Sequence, residues 1–246
     1  MLLKRVDKML PKVYFQFGDL WWDIWHILSF TRRKRFILYK KLVKRYPIVK
    51  KLKNTKKDKE KLRLFLINEY KKNFNKIVDS VIHFQRVWDK KNDKFMRALL
   101  HVLEVKPSKR STIKCFISMN PICPRDWKNW KFSVTYDLPD QNKIFVTAHE
   151  VTHMFYFKKL IDEFPKIDTK TFDFHGKEWR LSEALAPIIM NDPRITKVIG
   201  KSRNSTYACN TETSLKFNGL YREHLKKKTS FVDFYKKARK LANKVL

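Results

Sequence analysis

Two histidines four residues apart with a glutamate beside the first, His149-Glu150-Val151-Thr152-His153, carry the densest chemistry in this chain. On an α-helix, positions i and i+4 differ by about 40° in azimuth, so both imidazoles leave the same face and can grip one divalent ion. Glu150 is rotated about 100° from His149, which leaves its carboxylate beside such an ion and able to take a proton from a metal-activated water. The flanks suit that role. Val146, Thr147, Ala148, Val151, Thr152, Met154 and Phe155 are uncharged in a chain of which 33% is charged. Ile144, Ala148, Val151 and Phe155 form an apolar stripe opposite the histidines, while Val146, Phe157 and Leu160 add apolar groups on the histidine side. A helix apolar nearly all round is expected to be buried, and histidines with a glutamate in such a place require partners.

Catalytic zinc is held by three protein groups, so a third ligand is needed, and two residues downstream qualify. Glu183 lies in Trp179-Arg180-Leu181-Ser182-Glu183-Ala184-Leu185-Ala186-Pro187. Trp179, Glu183, Ala186 and Met190 recur at helical spacing, which puts a carboxylate on a core-facing stripe where an unpaired charge is costly. Pro187 cannot donate to the Glu183 carbonyl, so the helix is expected to loosen there. His175, in Phe174-His175-Gly176-Lys177-Glu178-Trp179, is the second candidate. The buried carboxylate demands an explanation more than a histidine in a loop does, which favours Glu183; His175 would then be available to polarise a carbonyl.

The elements that must position these groups are mainly helical. Residues 20–53 read as one or two helices, Asn54–Lys61 as a charged linker or exposed helix start, and 62–103 as a long helix, or two, with Leu66, Tyr70, Phe74, Ile77, Val81 and Phe84 at helical spacing. After Pro107 the period changes. Thr112–Met119 and Lys131–Asp137 alternate and are bounded by Asn120-Pro121, Cys123-Pro124 and Leu138-Pro139, so both read as strands. In the second, Phe132, Val134 and Tyr136 are expected on a core face with Ser133 and Thr135 opposite. A strand edge upstream of the histidine helix would suit an extended peptide. Residues 215–246 read as one or two closing helices, and Tyr207, Tyr221 and His224 are candidates for oxyanion stabilisation by residue type alone, with ordinary packing or surface positions the alternative.

In its order of helix, strands, H-E-x-x-H helix and returning helix, the chain resembles the zincin metallopeptidases. Leu181-Ser182-Glu183-Ala184 is similar in character to the L-N-E-G of the W-L-N-E-G stretch in the aminopeptidase branch of the gluzincins. That resemblance implies a zincin-like α+β fold, one zinc ion on His149, His153 and Glu183, Glu150 as general base, and hydrolysis of a peptide or protein substrate. The separation of His153 from Glu183 is longer than in those families. Phe174 to Trp179 resembles the H-G-x-x-F/W segment of SprT-like, DNA-associated proteases, which implies His175 as the third ligand instead; the gap after His153 is again longer, and no zinc ribbon follows. The sharp matches are confined to His149–His153 and Trp179–Ala184.

Composition bounds the rest. The 246 residues are 43% hydrophobic and 14% aromatic, enough for one large core or two small ones, and 4 Gly with 9 Pro exclude collagen-like and low-complexity chains. We expect residues 1–58 to form a basic, aromatic, helical N-terminal region and 59–246 the metallopeptidase-like domain, or the two to be continuous. The net charge of +32 attracts polyanions, so nucleic acid is a candidate partner, although mostly lysine cations spread over many faces also describe a solvated surface. A noncatalytic basic nucleic-acid-binding protein is the competing class. Cys115, Cys123 and Cys209 are odd in number and read as reduced thiols of a cytoplasmic protein. The N-terminus lacks a signal-peptide pattern, and Asp19, Asp23 and His26 interrupt the apolar segment Val13–Phe30, so no transmembrane segment is expected. Phe15, Trp21, Trp22 and Trp25 beside Arg32–Arg35 suggest a membrane-surface contact as an alternative to core packing.

Overall fold

The computed structural model describes residues 10–31, 37–106, 112–201 and 211–246. It is mainly helical with one small sheet. In chain order the elements are β1 (Lys12–Phe17), α1 (Leu20–Phe30), α2 (Ile37–Arg45), a 3-10 turn (Pro47–Lys51), α3 (Lys56–Lys72) and α4 (Phe74–Val102). There follow β2 (Thr112–Ser118), β3 (Arg125–Asp126), β4 (Lys131–Thr135), α5 (Asp140–Glu163), a 3-10 turn (Thr169–Phe172), α6 (Lys177–Met190), α7 (Pro193–Ile199), α8 (Thr211–Lys227) and α9 (Phe231–Val245).

Two compact units result. One takes Lys12–Lys90 and Thr112–Thr147; the other takes the described residues of Met1–Pro11, Lys91–Ser111 and Ala148–Leu246.

In the first unit the sheet order is β1-β2-β4-β3, with β1 parallel to β2, β2 parallel to β4, and β3 antiparallel to β4. The helical reading of the N-terminal region needs correction at Lys12–Phe17, which is a strand. Val13 and Phe15 are buried while Lys12, Tyr14 and Gln16 face outwards, a period of two that builds a sheet edge with one face on a core. Phe15 meets Phe84 edge-on at 4.8 Å, and Gln85 fastens the strand by accepting from the Phe15 N–H (2.8 Å) and donating to the Val13 carbonyl (3.2 Å). The β4 strand also differs from expectation, because Ser133 and Thr135 are buried along with Phe132 and Val134. It lies inside the sheet between β2 and β3, where parallel pairing goes with covered faces. Its free edge is closed in part as well: β3 pairs with Lys131 and Phe132, and the Ser133 N–H donates to the Pro124 carbonyl at 2.9 Å.

The long helical stretch is two helices, as its length suggested, broken at Asn73. Thr55 starts α3 with a reciprocal capping box to Asp58, so the charged run Asn54–Lys61 is a helix start rather than a linker. Asp23 on α1 is fully buried and accepts from the Tyr70 hydroxyl (2.6 Å) and the Ser118 hydroxyl (2.7 Å), tying α1 to α3 and β2.

In the second unit Phe95, Leu99, Val151, Phe155, Leu185, Phe217 and Phe231 are fully buried, and α6 packs on α8 and α9. Among the described residues no helix is long and apolar enough to cross a membrane, and neither Cys115 nor Cys123 is in a disulfide. Cys209, Tyr207 and Arg32–Arg35 lie outside the described residues.

Candidate metal centre

Helix α5 carries His149 and His153 one turn apart. It is buried on nearly every side from Thr147 to Leu160, as the apolar residues on most of its faces predict. Ala148, Val151 and Phe155 fix one face, and beside it the Thr152 hydroxyl donates back to the Ala148 carbonyl at 2.7 Å, within the helix. His153 is completely buried and Glu150 is 7% exposed, while the His149 side chain keeps 22% of its surface open.

The two histidines turn their Nε2 atoms toward one another at 2.9 Å, with the ring planes at 85°. Glu183 from α6 meets them. Its Oε2 lies 3.4 Å from His149 Nε2 and its Oε1 lies 3.5 Å from His153 Nε2, with the carboxylate only 2% exposed. Among the described residues His149, His153 and Glu183 are the one group of three or more potential metal ligands, with one donor atom from each within 4.8 Å of the others.

The spacing fits an ion. Four-coordinate zinc with bonds of about 2.0–2.1 Å holds its donors roughly 3.3 Å apart, close to the 3.4 and 3.5 Å between Glu183 and the imidazoles and longer than the 2.9 Å between the two Nε2 atoms. A hydrogen bond accounts for the 2.9 Å contact between the imidazoles, whereas the 3.4 and 3.5 Å distances to Glu183 exceed the usual donor–acceptor range of about 2.7–3.2 Å. Two nitrogens and a carboxylate oxygen are the borderline donors that zinc accepts, and three protein groups leave one position for substrate or solvent.

Aromatic stacking sets the His153 ring. Phe157, one turn further along α5, stacks on it at 6.1 Å and 24°, and Phe172 stacks in turn on Phe157 at 4.6 Å and 13°. Phe172 ends the 3-10 turn that Asp168 opens by accepting from the Lys170 N–H at 3.0 Å. This support was not read from the sequence; a Phe four residues beyond His153 was the available signal.

Helix α6 is positioned at both ends. Gly176 precedes its first turn, and a Cβ there would overlap the Thr171 carbonyl and come within 2.9 Å of the Asp173 oxygen, so no larger residue fits the approach. In that first turn Glu178, 2% exposed, accepts from the Tyr235 hydroxyl and from Arg239 Nε, each at 3.0 Å, which clamps α6 to α9. Burial pushes the Glu178 carboxyl up while both partners pull it down, with burial prevailing. At the other end Pro187 sits inside the helix and deprives the Glu183 carbonyl of its i+4 donor. Asp192 then caps α7 through the Arg194 N–H (2.8 Å) and accepts from the Tyr221 hydroxyl (2.8 Å).

His175 stands outside the ligand group. Its backbone is left-handed, φ 72°, and its ring packs against Phe174 at 4.0 Å and Trp179 at 5.6 Å. Tyr221 and His224 belong to the α8–α9 packing: the first donates to Asp192, and the second bonds the Thr229 hydroxyl at 2.9 Å and rests on Phe234 at 5.3 Å. Burial lowers the tendency of His224 to hold a proton.

Comparison of the chain with protein families, with curated proteins and with solved structures finds no match to any of them.

Proposed function

We propose that this chain is a zinc-dependent metallopeptidase of gluzincin type, with a zincin-like fold, in which His149, His153 and Glu183 hold one zinc ion and Glu150 is the general base. The observation that carries this reading is the convergence of the three donor atoms, at 2.9, 3.4 and 3.5 Å, from helices separated in sequence. Zinc supplies a Lewis acid that polarises a substrate carbonyl and acidifies water. Glu150, next to His149 on the helix and outside the ligand set, takes the proton from the attacking water and delivers it to the leaving amine. Its burial, with that of His153 and Glu183, makes the surroundings dry enough for fixed charges to act strongly. A purely structural zinc site has no need of such a base beside it.

The test is elemental analysis with peptide hydrolysis on the full chain, purified without affinity histidines, as wild type and as His149→Ala, Glu183→Gln, His175→Ala and Glu150→Gln. The expected result is about one zinc per chain in wild type, His175→Ala and Glu150→Gln, and loss in the other two. Hydrolysis is expected to fall by roughly a hundredfold or more in Glu150→Gln with zinc retained. A wild type that takes up no zinc when it is supplied would sink the reading.

A further inference from the structure

Helix α1 turns two tryptophans to the outside. Trp21 and Trp25, one turn apart, keep 56% and 67% of their surface exposed, while Ile24, Ile27 and Leu28 on the same helix are buried. Single apolar residues scatter over any surface, but a pair of large aromatics at one spot marks a place of contact. A cavity of about 510 Å³ opens beside them, walled by Trp21, Ile24, Trp25 and Leu28 and bounded by Lys59 of α3. The Lys59 ammonium stands 5.0 Å from the centre of the Trp21 ring. Lys56 and Arg63, three positions before and four after Lys59, fall on the same side of α3 and continue a basic row. Glu60, in the same turn, is engaged by Arg63 through hydrogen bonds of 2.9 and 2.7 Å. Trp22 is used differently: it packs on Phe116 at 5.8 Å, with Lys131 over its ring at 4.5 Å.

We propose that the Trp21–Trp25 face of helix α1, edged by Lys56 and Lys59, docks on an anionic phospholipid surface. Tryptophan is suited to the boundary between headgroups and acyl chains, where its ring body is apolar and its N–H meets polar groups. Lysine stems cover apolar surface and carry their charge to the phosphate level. A net charge of +32 gives the long-range complement that an anionic bilayer provides. The contact is peripheral, since no helix among the described residues can span the bilayer.

The ring geometry favours lipid over single-stranded nucleic acid. Base stacking needs an open ring face. Lys59 stands over one face of Trp21, and Trp25 meets the His26 ring at 4.5 Å and 86°, so neither ring is free on all sides to be sandwiched between bases. Insertion between headgroups needs an accessible ring edge instead. This inference does not depend on the metal centre.

The experiment is flotation of the full chain with vesicles of phosphatidylcholine alone or phosphatidylcholine with phosphatidylserine, beside a single-stranded oligonucleotide titration. Wild type is expected to float with the anionic vesicles and not with the neutral ones. Trp21→Ala/Trp25→Ala is expected to bind them about tenfold more weakly, and Lys59→Glu to weaken binding as well, both with unchanged circular dichroism because these side chains are exposed. Equal flotation of the double alanine variant would reduce the association to bulk charge and overturn the proposal. So would a wild type that ignores anionic vesicles while the oligonucleotide quenches its tryptophan emission.

Discussion

His149 and His153 face one another Nε2 to Nε2 at 2.9 Å, and each is also within 3.5 Å of the Glu183 carboxylate. Two imidazole lone pairs and a carboxylate aimed at one small volume repel unless a cation or a proton lies between them. Removal of metal is therefore expected to cost stability as well as any activity. Thermal melts with zinc at about a hundred times its dissociation constant should give ~3 kcal/mol of stabilisation over the chelator-treated protein. Glu183→Gln is expected to show little of it, and Glu150→Gln nearly all.

Gly176 allows α6 to start where it does. Its Cβ would overlap the Thr171 carbonyl, which is backbone and cannot step aside as a side chain would. Gly176→Ala is expected to destabilise the protein by ~1–3 kcal/mol, read from denaturant unfolding. It is also expected to weaken zinc binding, because the shift is delivered to the helix that carries Glu183. A variant with full stability and wild-type zinc affinity would show that the turn is more adaptable than this packing implies.

Asp23 supplies a pH signature in the sheet-containing unit. Burial raises its carboxyl to about 6, against the lowering effect of hydrogen bonds from Tyr70 and Ser118. The folded protein holds this proton more tightly than the unfolded chain, whose aspartate titrates near ~3.9. The Asp23 contribution is thus fully present below about pH 4, declines as pH rises to about 6 and is flat above, a span of at most ~3 kcal/mol. Asp23→Asn is expected to remove this slope. The check is the difference between wild-type and variant unfolding free energies across that window, which cancels the titrations the two share.

Asp192 has the opposite sign. Burial raises its carboxyl, but hydrogen bonds from Arg194 and Tyr221 outweigh that and hold it below the ordinary aspartate range. Its contribution is present above the unfolded value near ~3.9 and is lost as pH falls through the depressed folded value. Asp192→Ala deletes the α7 cap and leaves the Tyr221 hydroxyl without its acceptor. A loss of ~2–3 kcal/mol at neutral pH is expected from denaturant titration, shrinking under acid.

How much of this was legible in the sequence depends on the range of the interaction. The α5 helix, the α6 helix with Glu183 on its inward stripe, and strands β2 and β4 all follow from local periodicity, because each repeats within a few residues. The break at Asn73 and the covered second face of β4 depend on neighbours that periodicity does not register. Strand β1 escaped because its alternation of Val13 and Phe15 with Lys12, Tyr14 and Gln16 merges into the aromatic run that follows. The two candidate third ligands could not be ranked by spacing alone. Their separation in space depends on the left-handed turn at His175 and on the Glu178–Tyr235–Arg239 clamp, which joins residues about sixty positions apart.

The parallel pairing of β1 with β2 places Lys12 against Thr112, one hundred positions later. Contacts of such high order are slow to form, since the intervening chain must be brought round before the pairing yields any energy. During synthesis β1 emerges long before its partner exists, with Val13 and Phe15 uncovered and its backbone donors open to any other extended segment. The early chain thus exposes apolar side chains that the finished molecule covers, and expression of this protein is expected to benefit from a chaperone that shields the first strand.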